Sequence, residues 1–435
     1  MRGPQRAERG ILMKSAINTF DEIKGYSEIK AELIQLCDIM KKPAIYEKLG
    51  VTVPKGLLLC GCPGVGKTLM ANCLISESGW NVVVCRKNKP SGEFVNHIRE
   101  CFDKAVSAAP CIIFLDDLDK YANEDQQHDD AEEYVTVQAC IDDVKEKKVF
   151  VIATVNDEYK LPDSLIRSGR FDRKIEVAKP YGEDAVEIVE AFLAKKQFIH
   201  GVDARTVAQL LDGRSCAELE TIINDAGIRA GFERRDSITM EDVINAYLKA
   251  SYNAGNIHRE EEGELSVLAA FHEAGHATIS ECLRPGSVTL VSIANSSNTG
   301  GITCCYDGQP AYRRVSSFRN GIMTALAGRA AIELVFGEID CGGKYDIANA
   351  FDKAEALVAS IGSAGLDKTM IKWDDTQEHC AVIEKAKIVE LEYCYQNVKD
   401  LMASNIDMLH AIAQALLHKT TITQMDIIEI RKSIE

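Results

Sequence analysis

No stretch of this chain is long and apolar enough to cross a membrane, which takes ~18–20 such residues in a helix. Positive charge is also scarce: 50 Lys and Arg against 66 Asp and Glu leave a formal net charge of −16. A surface that acidic repels phosphate backbones and anionic lipid headgroups, which excludes general binding to nucleic acid or to a charged membrane. Paired cysteine spacings are missing as well. The 15 cysteines are odd in number and sit mostly in apolar runs (Cys85, Cys101, Cys111). With no signal peptide, they read as reduced thiols rather than a disulfide framework. No repeat with a period of roughly 20–50 residues is evident, so a solenoid is excluded.

What is present suits a globular protein of two or three domains: 435 residues, 46% hydrophobic and 27% charged. The basic start, "MRGPQRAERGILMK", lacks a long apolar core behind it, and residues 1–18 read as a short disordered arm. Across residues 19–180, the runs "KGLLLCG", "NVVVC", "CIIFLDD" and "KVFVIATV" alternate with helical stretches. Strands apolar on both faces predict an α/β domain with a parallel sheet covered on each side. Residues 181–250 have helical spacing with no strand, which predicts a small helical domain. The polar segment 251–264 reads as a linker. Residues 265–435 are mainly helical, with one strand-rich insert at "SVTLVSIANSSNTGGITCCY". The acidic run Asn123–Glu133 reads as a solvated loop and helix start.

Two motifs carry chemistry. "GCPGVGKT" spans Gly61, Cys62, Pro63, Gly64, Val65, Gly66, Lys67 and Thr68, with Leu69 next, and it follows an apolar strand. Its glycines let backbone amides turn inward around phosphate oxygens. Lys67 can neutralise β/γ-phosphate charge, and the Thr68 hydroxyl can ligate Mg²⁺. This predicts binding of ATP with Mg²⁺, helped by the positive end of the helix that starts near Lys67. "CIIFLDD" ends an apolar strand in carboxylates: Asp116 is placed to hold Mg²⁺ through water, and Asp117 to orient the attacking water. That second position is usually Glu, and the shorter Asp117 leaves hydrolysis either slow or dependent on a small shift. Asn156 follows the next strand, where its amide can sense the γ-phosphate.

The second motif is "AAFHEAGHATI". His272 and His276 lie one helical turn apart and can share a metal ion, while Glu273 can act as the base for a metal-activated water. Two core or surface histidines are the alternative for this motif alone.

"TFDEIKGYSEIKAEL", the phosphate loop, "AAPCIIFLDDLD" and "LIRSGRFDRKIEV" together resemble the AAA+ ATPase module, most closely its FtsH branch. "HEAGH", "GRAAIELVFGE", "YDIANAFDKA" and "QALLHKTTIT" extend the resemblance to FtsH proteases over essentially the whole chain from Thr19. The resemblance implies an AAA+ α/β nucleotide-binding domain, a helical lid over 181–250 with Cys216 at the nucleotide, and a mainly α-helical zinc metalloprotease domain. It implies Asn156 as the γ-phosphate sensor, and Arg170 and Arg173 as fingers reaching the ATP of a neighbouring subunit in a homo-oligomer, normally a hexamer. It implies Asp346 as third ligand beside His272 and His276, with one Zn²⁺ per subunit, and polypeptides as substrates. The strand "GGITCCY" matches the segment beside the family's active site, where Cys304 and Cys305 read as small strand fillers.

The expected function is an ATP-dependent zinc metalloendopeptidase that couples ATP hydrolysis to delivery and degradation of proteins. The rivals are an ATP-driven unfoldase or assembly chaperone with a structural protease half, and a zinc peptidase with weak ATPase. Most FtsH proteins carry N-terminal membrane helices. Their absence here suggests a cytoplasmic member, or a membrane-associated one if the chain is a truncated form of an anchored parent. Pro90 stands where the family has a substrate-gripping aromatic, Phe94 reads as the first buried residue of the next helix, and the acidic run replaces a glycine-rich second pore loop.

Overall fold

The computed structural model describes residues 19–122, 131–167, 169–197, 199–253, 263–294, 300–306, 308, 314–339, 342–369 and 377–434. The basic arm, residues 123–130 of the acidic run and residues 254–262 of the expected linker lie outside the described residues. The chain divides into two compact units. One comprises the residues up to Pro180 with Arg214–Glu218, the other Tyr181–Gly213 with Leu219 onward.

The first unit holds a parallel sheet of β1 (Gly56–Cys60), β2 (Asn81–Cys85), β3 (Cys111–Leu115), β4 (Val149–Val155) and β5 (Arg173–Glu176), ordered β2–β3–β4–β1–β5. Every residue of β1, β3 and β4 is buried, because parallel strands return through helices that cover both faces. β2 departs from its expected two-sided burial. It is an edge strand, and Val82 and Val84 are each 45% exposed. β5 was not legible as a strand, since "RKIE" buries Ile175 alone. The helices of this unit are α1 (Ser27–Lys41), α2 (Pro43–Glu47), α3 (Lys67–Ser78), α4 (Ser91–Ser107), α5 (Glu132–Asp143) and α6 (Asp163–Ile166).

α4 shows how the core forms. Phe94, Ile98, Cys101, Phe102 and Ala105 recur at helical spacing and pack against Cys85, Ile113 and Leu115 of the sheet. Phe94 has no exposed surface and meets Tyr121 edge-to-face at 4.9 Å, whereas Pro90 before the helix is exposed. Phe94 is therefore a core residue and is not available to grip a substrate.

The second unit is mainly helical: α7 (Gly182–Ala194), α8 (Ala204–Leu210), most of α9 (Cys216–Phe232), α10 (Met240–Tyr252), α11 (Glu264–Leu283), α12 (Val315–Phe336), α13 (Lys344–Glu355), α14 (Gln377–Ser404), α15 (Ile406–Lys419) and α16 (Gln424–Ile434). A small antiparallel sheet, β7 (Ile302–Cys305)–β6 (Val288–Ser292)–β8 (Thr421–Thr423), packs among them. β8, three residues long, was not expected from the sequence. Residues His272–Glu281 of α11 are all buried. A helix buried on every side needs partners all round, and α12, α15 and β6 supply them. Ala270, Ala274 and Ala277 share one core with Ala327, Ala330 and Ala331, so the α11 and α12 backbones come close. At Gly275 a Cβ would lie 2.6 Å from Ala331 Cβ and 2.7 Å from the Ala327 carbonyl, so only glycine fits.

Phe94→Ala is expected to destabilise the first unit by ~3–5 kcal/mol, through lost burial and the cavity left behind. Urea unfolding followed by circular dichroism would show it as an earlier first transition. An unshifted transition would refute the core assignment.

Candidate nucleotide and metal sites

The phosphate loop connects β1 to α3, and Gly66 takes φ 98° where the helix begins. Turning from strand to helix there needs the left-handed region, which glycine enters without cost to a side chain. The Lys67 ammonium bends back over the loop and donates to the carbonyls of Gly61 (2.6 Å) and Cys62 (2.8 Å) and to Asn156 Oδ1 (3.0 Å). Burial lowers the Lys67 pKa, which favours an arriving anion as its partner. Pro63, Gly64 and Leu69 are exposed, while Cys62 and Thr68 are half-buried and Val65 is buried.

The two carboxylates at the end of β3 are held differently. Asp116 Oδ1 accepts from Thr154 Oγ1 (2.9 Å) and Thr68 Oγ1 (3.3 Å), and its Oδ2 accepts from Arg86 Nε (2.9 Å). This places Asp116 beside the hydroxyl expected to share a cation with it. Asp117 has φ 53° and accepts at Oδ1 from Asn156 Nδ2 (3.3 Å) and at Oδ2 from Lys120 Nζ (2.7 Å). Asn156 thus joins Lys67 to Asp117 through one amide. Its own position is fixed by buried Asp119, whose Oδ1 accepts from the Asn156 backbone N–H (3.2 Å).

Cys216 opens α9 beside the loop: its thiol lies 3.6 Å from the Val65 carbonyl and 3.5 Å from the Tyr26 hydroxyl, and the Ala217 N–H donates to the Gly64 carbonyl (2.9 Å). The two arginines differ. Arg170 is buried and bonds Asp142 (2.7 Å), Gln138 (3.1 Å) and the Ser164 carbonyl, all within its own unit. The Arg170 guanidinium, hydrogen-bonded to Asp142, pulls that carboxyl down to about 2. Asp142 therefore stays ionised throughout the neutral range. Arg173, at the start of β5, is exposed.

In the second unit, α11 and the first turn of α13 bring His272, His276 and Asp346 together. The Nε2 atoms of His272 and His276 are 3.2 Å apart, and Asp346 Oδ2 lies 3.1 Å from the first and 3.4 Å from the second. Tetrahedral zinc with bonds of ~2.0–2.1 Å needs ligand atoms about 3.3–3.4 Å apart, so the donor triangle fits that ion. His276 Nδ1–H donates to the Thr324 carbonyl (2.7 Å), which leaves Nε2 with its lone pair directed into the triangle. Burial works to raise the Asp346 pKa, but the two imidazoles beside it outweigh that and hold the carboxyl well below its usual range. Glu273 is buried beside the triangle. Its carboxyl pKa is raised by that burial, and its Oε2 accepts from Thr303 Oγ1 of β7 (2.7 Å). The second glycine contact of α11 and α12 lies here: a Cβ on Gly328 would fall 2.4 Å from His272 Nε2 and 2.6 Å from His276 Nε2.

Two parts of the chain match known families. Residues 57–179 match the model of the ATPase family associated with various cellular activities (AAA), and residues 260–430 match peptidase family M41. The ATP-dependent zinc metalloprotease FtsH of Caldicellulosiruptor bescii is 30% identical over 437 residues, covering 93% of this chain and 70% of that protein. The chain belongs to the FtsH family. ATP-dependent zinc metalloprotease FtsH 1 of Phytoplasma mali is 29% identical, covering 95% of this chain and 71% of its own length. The chloroplastic FTSH 5 of Arabidopsis thaliana is also 29% identical, with 93% and 62% covered.

In this FtsH-family chain the sequence motifs named the candidate groups but not their supports. Thr154, Asp119, Thr303, Thr324 and Gly328 are ordinary residues in the sequence, and each is important only through a contact far along the chain. Cys304 and Cys305 fall in no metal-binding group among the described residues. No helix among those residues is long and apolar enough to cross a membrane.

Gly328→Ala is expected to preserve the fold but lower zinc affinity on the order of 10–100-fold by displacing both imidazoles. Competition with a chromogenic chelator measures it. Unchanged affinity would show that the histidines move aside.

Proposed function

We propose that this chain is an ATP-dependent zinc metalloendopeptidase that uses ATP hydrolysis to deliver polypeptides for cleavage. The observation that carries the reading is the pairing, in one chain, of a complete phosphate loop with a His272–His276–Asp346 donor triangle beside Glu273. Residues 19–180 are assigned to the nucleotide-binding domain, 181–250 to its lid, 251–264 to the linker and 265–435 to the peptidase domain.

In the peptidase, His272, His276 and Asp346 would hold the metal. When bound, zinc supplies Lewis acidity, polarising a carbonyl and making water easier to deprotonate. The Glu273 carboxylate takes the proton of the attacking water and passes it to the leaving amine. Burial raises its pKa, which strengthens the carboxylate as a proton acceptor. Thr303 orients the carboxylate from β7. β7 pairs with β6 alone, which leaves its outer edge open among the described strands for an extended substrate.

In the ATPase, Lys67 exchanges its carbonyl partners for phosphate oxygens, and Thr68 with Asp116 would hold the magnesium. Magnesium, when bound, supplies charge neutralisation on the phosphates. Asp117 orients the water and Asn156 reports the γ-phosphate to it. Cys216 and Ala217 close the lid side of the loop. We assign the finger that reaches a neighbouring subunit to Arg173, exposed and on a strand terminus, while Arg170 braces the loop that carries it. Such a finger requires a homo-oligomer, with a hexameric ring as the arrangement proposed. The zinc peptidase with weak ATPase keeps one supporting observation, the short Asp117 side chain tied to Lys120 and Asn156.

With casein as substrate, wild-type protein should show ATP-dependent degradation, and Glu273→Gln should lose at least ~10²-fold of it while retaining zinc and ATPase. Equal degradation by the variant would sink the protease reading. Asp117→Glu, restoring the missing methylene, should raise ATP turnover about tenfold in a phosphate-release assay, and lower turnover would exclude Asp117 as the water-orienting group.

A further inference from the structure

A second cluster of metal-ligating side chains lies in the first unit, made of residues that neither site described uses. Cys85 ends β2, and His97 and Cys101 stand one turn apart on α4. Their ligand atoms all lie within 4.8 Å of one another, with Cys101 Sγ 3.6 Å from His97 Nε2. Cys85 and Cys101 are fully buried free thiols, and the His97 side chain is 18% exposed.

Buried cysteines usually act as small apolar fillers. Three soft donors converging on one point from a strand end and a helix face go beyond that. The placement is also firmly built: the Cys85 carbonyl accepts from the Tyr121 hydroxyl (2.7 Å) and from the Asp116 N–H (3.2 Å), and Phe94 sets the His97 ring at 6.1 Å between centroids.

Donor chemistry selects the ion. Two sulfurs and one imidazole suit zinc or copper(I), and hard oxygen-seeking cations are excluded. Charge then decides. Two thiolates with Zn²⁺ make a neutral group, whereas Cu⁺ leaves a net negative charge among buried Phe94, Tyr121 and Leu115, which the interior disfavours. Distance agrees as well, since Zn–S of ~2.3 Å and Zn–N of ~2.0–2.1 Å at a tetrahedral angle set S and N about 3.6 Å apart. We infer that Cys85, His97 and Cys101 form a second zinc site, independent of the peptidase centre, with its fourth position on the side where His97 reaches solvent.

Such an ion ties the strand before one loop to the helix after it. Cys85 immediately precedes Arg86–Pro90, and α4 follows it, so the site fastens the base of the segment that corresponds to the family's substrate-gripping loop.

The test uses the full chain. Wild type should bind about two equivalents of zinc by elemental analysis, one at each site. His276→Ala should retain about one, and Cys85→Ser combined with His276→Ala should retain none. Cobalt-loaded His276→Ala should show a sulfur-to-cobalt charge-transfer band in the near ultraviolet, which the peptidase triangle, having no sulfur, cannot give. His97→Gln, at a partly exposed position that tolerates change, should lose that band without unfolding. The inference is overturned if His276→Ala carries no zinc and gives no such band, or if Cys85 and Cys101 are found joined as a disulfide in protein purified without reductant.

Discussion

The peptidase half depends on how closely α11 and α12 approach. Gly275 and Gly328 give the two helices backbone contact on one side and room for two imidazoles on the other. Alanines along the same seam keep that distance, and the buried surround fixes the histidine rotamers before any ion arrives. α12 then supplies the Thr324 carbonyl that sets the His276 tautomer. Spacing and orientation of the two histidines, and the His276 tautomer, follow from one tight helix pair.

A comparable economy governs the nucleotide site. Thr154 contacts both acidic residues at the end of β3, accepting from the Asp117 N–H (2.9 Å) and donating to Asp116 (2.9 Å). β4 therefore positions the two carboxylates that follow β3, and Asn156, just after β4, joins Asp117 to Lys67. Adjacent parallel strands hold these groups in register, which is why a central sheet rather than a loop carries them.

Much of this was legible in the sequence, and the reason is local. The phosphate loop, the β3 carboxylates and the paired histidines are each contiguous, so their spacing reads out their geometry. Asp346 lies 70 residues from His276 and entered only through family resemblance. Contacts such as Thr303 to Glu273, Asp119 to Asn156 and Gly328 to both histidines are properties of packing, and no short window of sequence encodes them. The same holds for Cys85 with His97 and Cys101: the two cysteines read only as reduced thiols in apolar runs until β2 and α4 were brought together. β2 misled for a related reason: "NVVVC" is apolar enough for a central strand, but its place at the sheet edge is decided by the order of the other strands. Phe94 was settled by Tyr121, its partner across the core.

On the function proposed, an edge strand such as β7 would read a guest chain by its amides and carbonyls, which every residue but proline presents alike. A cutter built on such a reader has little means of refusing one extended sequence in favour of another. Discrimination then moves upstream in time: a protein's fate is decided by whether it can be drawn into extended form, and its tendency to unravel matters more than the residues flanking the cut.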